Sequence, residues 1–287
     1  MARSLRAGLN VVELIAKDHS TLASGLHSEV FDSAWICRPW SELDLALHAS
    51  EIEAQLGERG VFLPGSDVEV AWCARAQIRG AIVPPVAALE AVAKPLIPAA
   101  RGLPCAVPPA VSLEAGQRRV LEFCEENGWE VWLKGPAYDA RHVASWSALV
   151  HAEAELGRIW KTRAFFVQAS VRGHEWCVAG AAVDGRLLGA VEMEKRLSTE
   201  RGKTWAGAVG DVAPAFLAAL ESTLRALRWS GGFELEFVRD DEGTAWLIDW
   251  NARFPAWIHG ATLAGVNLPA RLVAAVSGAG PVRELAR

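Results

Sequence analysis

Hydrophobic and polar positions along the chain change rhythm twice. Over residues 1–95, short apolar runs alternate with amphipathic stretches. The pattern predicts strands at 34–37, 60–63 and 80–84, with helices at 43–56 and 66–75 between them. Strand and helix in alternation predict a small parallel α/β layer. A Pro-rich passage follows at 94–109, KPLIPAARGLPCAVPP. Proline fixes φ and lacks a backbone N–H, so this passage reads as a boundary or crossover. Residues 104–167 then read strand, helix, strand, helix, strand. The helix at 113–127 is stopped by Gly128, the strand at 130–133 runs into Lys134-Gly135-Pro136, and a helix at 141–159 leads to a strand at 164–169.

From residue 170 the pattern is α+β. Apolar strands at 175–183 and 186–194 flank Asp184-Gly185, a strong hairpin signal. A polar loop at 198–207 precedes a helix at 212–227, a second hairpin at 232–254 and a helical tail. The chain therefore divides into an α/β block at 1–95, a mixed block at 96–169 and an α+β block at 170–287.

The second hairpin, GFELEFVRDDEGTAWLIDWNARF, carries the candidate chemistry. Phe233, Leu235 and Phe237 alternate with Glu234 and Glu236, while Trp246 and Ile248 alternate with Leu247 and Asp249. With Glu242 and Gly243 as the central turn residues, Asp241 faces Thr244. Counting outward then sets Glu236 opposite Asp249 and Glu234 opposite Asn251. Side chains two apart share a face, so these four cluster. Directly opposed carboxylates lie roughly 5 Å apart at Cβ, which is unfavourable unless a positive charge sits between them. A hard divalent ion with oxygen ligands, such as Mg²⁺, meets that need. A solvent-facing acidic strand pair would show the same pattern.

Composition narrows the classes. A net charge of −5 without a long basic run argues against nucleic-acid binding. Five scattered Cys without a C-x-x-C pair argue against a disulfide framework or zinc site, and fit a reducing cytoplasm. The N-terminal apolar run is short and broken by Glu13, a poor signal peptide. No stretch approaches the roughly 20 apolar residues of a membrane span. Thirteen Trp against one Tyr suggest heavy aromatic packing and an aromatic substrate pocket.

Glu236, followed by Asp249-x-Asn251-x-Arg253, resembles the metal motif of the ATP-grasp superfamily. Two positions depart from it, with Asp249 where Glu is usual and Ala252 where Pro is common. Further matches follow in chain order over roughly residues 60–275. The resemblance implies an α/β pre-domain at 1–95, a lid subdomain at 96–169 and a metal-bearing C-terminal subdomain at 170–287. It implies ATP as the nucleotide, with Lys94, Lys134 and Lys195 on its phosphates. Gln168 and the backbone of Val171 would meet adenine, and Glu175 would accept the ribose hydroxyls. Glu236, Asp249 and Asn251 would hold Mg²⁺, two ions in this reading, with Mn²⁺ able to substitute. The catalytic pair would be Arg253 and Lys195. The loop after Lys134 is GPAYDA rather than a run of glycines.

The activity the resemblance implies is ligation. ATP converts a substrate carboxylate to an acyl phosphate, and an amine displaces phosphate to give an amide or peptide bond. The partners would be small-molecule or peptide carboxylates and amines, with no nucleic acid, no membrane and a possible homodimer in the cytoplasm. The alternatives are a peptide-modifying ligase, a carboxylating or carbamoylating enzyme, and a non-catalytic nucleotide binder. Other motifs fail. Gly202-Lys203-Thr204 lacks the first glycine of a Walker A loop, no G-x-S-x-G or G-x-G-x-x-G occurs in context, and the seven His are scattered. His259, close behind the motif, reads either as a substrate contact or as a solvent-facing helix residue, the second being the more common case. The loop at 198–207 reads either as a cover over the phosphates or as a surface loop.

Overall fold

A computed structural model describes residues 1–10, 13–38, 44–135, 140–198, 204–278 and 280–284. The first block opens with helix α1 (Ala2–Gly8) and pairs β1 (Ile15–Asp18) in parallel with β2 (Ser33–Ile36). Helices α2 (Leu45–Leu56) and α3 (Asp67–Ala76) follow, each begun by a side-chain cap, Asp44 and Ser66. The strands expected at 60–63 and 80–84 shrink to one parallel bridge, Phe62 to Ala81. Pro64, Pro84 and Pro85 flank it and lack the N–H needed to extend a ladder. Three elements here had no clear sequence signal: α1, β1 and the short helix α4 (Val86–Ala91).

The middle block forms a four-stranded sheet of order β3-β6-β4-β5, made of β3 (Ala110–Ser112), β4 (Val131–Lys134), β5 (Ala140–Val143) and β6 (Phe166–Ala169). Helices α5 (Gln117–Glu126) and α6 (Trp146–Trp160) pack Val120, Phe123, Leu149 and Leu156 against Val131, Leu133 and Val167. One expectation fails here. Residues 140–143 are a strand paired to β4, and α6 begins only after Ser145, whose hydroxyl accepts the Ala148 N–H. The capping serine, rather than the apolar period, sets the boundary.

The third block is a five-stranded antiparallel sheet of order β11-β10-β7-β8-β9, made of β7 (His174–Val183), β8 (Arg186–Ser198), β9 (Thr204–Gly210), β10 (Gly231–Arg239) and β11 (Ala245–Asn251). Asp184 and Gly185 both take positive φ between β7 and β8, as a tight primed turn requires. The stretch expected as a loop at 198–207 is partly strand, because β9 begins at Thr204 and pairs with β8. Its residues 199–203, including Gly202 and Lys203, lie outside the described residues, as do 136–139 of the loop after Lys134.

One face of this sheet carries Phe233, Leu235, Phe237, Leu247 and Trp250 against Phe216, Leu220 and Leu224 of α7 (Pro214–Leu227). Gly180 admits this packing, since a Cβ there would sit 2.2 Å from the Phe233 ring. The opposite face is covered at one end by α8 (Ile258–Leu263) and α9 (Leu268–Ser277), through Ile258, Leu268 and Leu272 on Ala179, Ala181 and Val191. His259 of α8 is half-buried rather than solvent-facing, and its ring nitrogen lies 3.2 Å from the Ser4 hydroxyl. Several tryptophans, Trp72, Trp176, Trp229 and Trp250, serve the cores.

Candidate nucleotide and metal site

The uncovered end of that second face holds the site. β10 and β11 pair with Glu236 opposite Asp249 and Glu234 opposite Asn251, the register the sequence predicts. The turn differs. Phe237 pairs with Leu247 and Arg239 with Ala245, and the Asp240 N–H donates to the Thr244 carbonyl, so Asp240 takes the place expected for Asp241. A bulge at Ile248 absorbs the one-residue difference. Strict alternation would put Leu247 beside Asp249. The bulge turns Leu247 into the core instead and leaves the acidic side chains on the site face.

Three lysines from separate parts of the chain lie at this hairpin. Lys94, just beyond α4, donates to Asp249 Oδ2 at 2.6 Å. Lys195 of β8 donates to Glu236 Oε2 at 2.6 Å and Glu175 Oε2 at 3.2 Å. Lys134, ending β4, donates to Gln168 Oε1 at 2.7 Å and to the carbonyl of the bulged Ile248 at 3.4 Å. The middle sheet thus reaches the hairpin through Lys134. Asn251 Nδ2 donates to Glu234 Oε2 at 3.2 Å and Glu236 Oε1 at 3.0 Å, and Trp257 Nε1 donates to Glu234 Oε1 at 2.8 Å. Val171 is half-buried in the connection from β6 to β7.

Charge states follow from this packing. Burial pushes Lys134 down to about 8, with Lys94 adding to the effect against the pull of Asp249. Burial also opposes the charge on Lys94 and Lys195, but Asp249 and Glu236 respectively outweigh it and raise both. Glu236 is held below its ordinary value: burial raises it, and the Lys195 charge and hydrogen bond overcome that. Asp249 is raised by burial and by Glu236 despite Lys94. Glu234 is raised to about 7 by burial and then by Glu236.

Among the described residues no three His, Cys, Asp or Glu side chains close into a metal-holding group. The expected ligands are instead two carboxylates and an amide. Asp249 Oδ1 is buried without a hydrogen-bond partner, which is the state of an oxygen suited to a cation. This donor set of hard oxygens fits Mg²⁺.

Arg253 points to a residue the sequence did not single out. Its Nε donates to Asp67 Oδ2 at 3.1 Å, and the Ala252 N–H donates to Asp67 Oδ1 at 3.1 Å. A cavity of about 240 Å³ lies beside this group, between α3, α4 and the end of β11. Asp67, Lys94 and Asn251 line it, with apolar wall from Val86, Leu89 and Trp250. The Ser66-x-x-Glu69 capping signature marks where α3 begins. Only the tertiary fold brings Asp67 to Arg253.

No protein-family model matches this sequence, and the comparison with curated proteins gives no match. Solved structures do resemble the fold. A biotin carboxylase–β,γ-ATP complex from Campylobacter jejuni superposes with a TM-score of 0.73 at 16% identity, covering 99% of this chain and 70% of that one. The biotin carboxylase domain dimer of Hydrogenobacter thermophilus 2-oxoglutarate carboxylase, with MgADP, ADP and bicarbonate, gives 0.74 at 14% identity, covering 98% and 67%. N5-carboxyaminoimidazole synthetase from Staphylococcus aureus, complexed with ADP, gives 0.69 at 12% identity, covering 99% and 76%. These enzymes share the ATP-grasp fold, the one the hairpin motif resembles, and this chain has it.

Proposed function

We propose that this chain binds Mg-ATP and uses it to activate a carboxylate as an acyl phosphate, which an amine then attacks to form an amide. The observation that supports this reading is the pairing of Lys94 and Lys195 with the facing carboxylates Asp249 and Glu236, with Lys134 beside them on Gln168 and the Ile248 carbonyl. Phosphoryl transfer needs positioned cations more than covalent help from the protein, and hard oxygens to hold a divalent ion. The nucleotides bound in the structural neighbours are consistent with it.

In this reading Glu236, Asp249 and Asn251 hold Mg²⁺, which when bound spreads the charge of the terminal phosphate; two ions, replaceable by Mn²⁺, are part of the proposal. Lys94, Lys134 and Lys195 bind phosphate oxygens. Gln168 and the Val171 backbone hold the base, and Glu175 the ribose. Arg253 steadies the phosphoryl group in transfer. A carboxylate oxygen attacks the γ-phosphorus as its bond to ADP breaks. The amine nitrogen then attacks the acyl carbon, the carbon–oxygen bond to phosphate breaks, and the nitrogen loses a proton. The blocks 1–95, 96–169 and 170–287 act as pre-domain, lid and metal-bearing subdomain, and a homodimer is part of the proposal.

A second reading takes bicarbonate as the carboxylate. The names of the neighbours, and the bicarbonate in the Hydrogenobacter complex, favour it.

One pair of measurements tests both readings. Mg-ATP at about 100 times its dissociation constant should stabilise the protein by roughly 2.7 kcal/mol in thermal melting. Phosphate release should then respond to a panel of carboxylates and amines under the first reading, and to bicarbonate alone under the second. Absence of any Mg-ATP shift would remove the nucleotide reading.

A further inference from the structure

We infer that Asp67 is a positioning residue that sets the plane of the Arg253 guanidinium, coupling the first block to the hairpin motif; this rests on the reading of Arg253 as a phosphate-steadying group. The two residues are 186 positions apart and form a half-buried ion pair, 21% and 18% exposed at their side chains. The oxygens of Asp67 divide their work. Oδ1 accepts the Ala252 N–H and fixes the backbone immediately after Asn251. Oδ2 accepts from Nε, the inner nitrogen of the guanidinium, and Nη1 donates to the Phe254 carbonyl at 3.4 Å. A guanidinium is planar with donors in a fixed fork, so holding Nε orients the whole group.

Asp67 is itself held firmly. It is the first residue of α3, whose cap Ser66 accepts the Glu69 N–H at 3.2 Å. The Glu69 carboxylate takes the Lys17 ammonium at 2.7 Å on one oxygen and the Gly65 N–H at 3.1 Å on the other. A chain of contacts therefore runs from β1 through the start of α3 to the motif arginine. Asp67 carries the wrong charge to bind phosphate; what its carboxylate holds is the Ala252 N–H and the Arg253 guanidinium.

The test is the ratio of affinities for Mg-AMPPNP and Mg-ADP, measured by calorimetry on the full chain. The wild type should prefer the triphosphate. Asp67→Asn and Arg253→Ala should each lower that preference by about tenfold while leaving ADP affinity unchanged, and the double variant should lose no more than Arg253→Ala alone. Asp67→Glu should recover most of the ratio. If Asp67→Asn does not fold, Arg253→Lys, which keeps charge but has no Nε donor, should show the same tenfold loss. A wild-type ratio in Asp67→Asn or in its Arg253→Lys substitute, or additive losses in the double variant, would overturn the coupling. A wild type that binds neither nucleotide would overturn the nucleotide reading instead.

Discussion

The hairpin β10–β11 and the first block meet at the same site and specify it by different means. In the hairpin, Glu234, Glu236, Asp249 and Asn251 lie within one pair of strands, so period-two alternation and register place them. Lys94 lies just beyond the short helix α4, and Asp67 starts α3. Nothing local aims them at β11; they arrive through packing of α3 and α4 against the third block. Register fixes the hairpin's carboxylates, and tertiary contact supplies Lys94 and Asp67. Asp249 and Glu236 are neutralised by Lys94 and Lys195 in ion pairs with limited solvent access, where a lost partner is costly.

The sharpest way to break this comparison is to remove the hairpin's central carboxylate. Asp249→Ala should lower ATP-dependent phosphate release by roughly a hundredfold or more, on the order of 3 kcal/mol of transition-state stabilisation. Cooperative melting should persist, since Asp249 lies on the site face, away from the core around Phe233 and Trp250. Turnover unchanged in this variant would mean that the register, though correctly formed, carries no metal.

Lys134 offers a smaller effect, with a sign that can be worked out. Burial puts its folded value at about 8, below the usual 10.5. A lysine lowered in the folded state burdens the free protein with a buried charge below about pH 8, and that burden eases as pH rises toward 10.5. Bound phosphate favours the protonated form. The Lys134 contribution to nucleotide affinity should therefore be flat below pH 8 and fall above it, by up to about tenfold per pH unit. Titration calorimetry across pH 7–9.5 reads this directly. Lys134→Met should bind more weakly and lose the slope; a slope that survives the substitution would assign the titration to another group.

How much of this was legible in the sequence depends on the kind of signal. The oppositions of Glu236 to Asp249 and Glu234 to Asn251 match the count along the two strands because the bulge at Ile248 cancels the one-residue difference in the turn. The turn itself was not legible. The Asp240 carboxylate accepts both the Thr244 N–H and the Trp246 indole N–H at 2.7 Å, which pulls the turn one residue away from Glu242-Gly243 at its centre. Residues 141–143 read as helix because Arg141 and His142 fit either period, and pairing with β4 decided the outcome. Asp67 carried no signal beyond its place in a capping motif, since its partner is distant in sequence and near only in the fold.

The bulge at Ile248 allows the finest test of the comparison. Because Ile248 is the extra residue between the Leu247 and Asp249 pairings, deleting it should leave Phe237 opposite Leu247 and Glu236 opposite Asp249 in a regular ladder. Both faces would keep their side chains, so the chain should fold and melt cooperatively. What disappears is the Ile248 carbonyl that accepts from Lys134 at 3.4 Å. A long hydrogen bond to a charged donor is worth about 1 kcal/mol, so nucleotide affinity should fall roughly fivefold. Unchanged affinity would show that the bulge serves only to correct the register. Loss of folding would show instead that the bend it gives β11 is needed to seat Leu247 and Trp250 in the core, and that the acidic face depends on the apolar one beneath it.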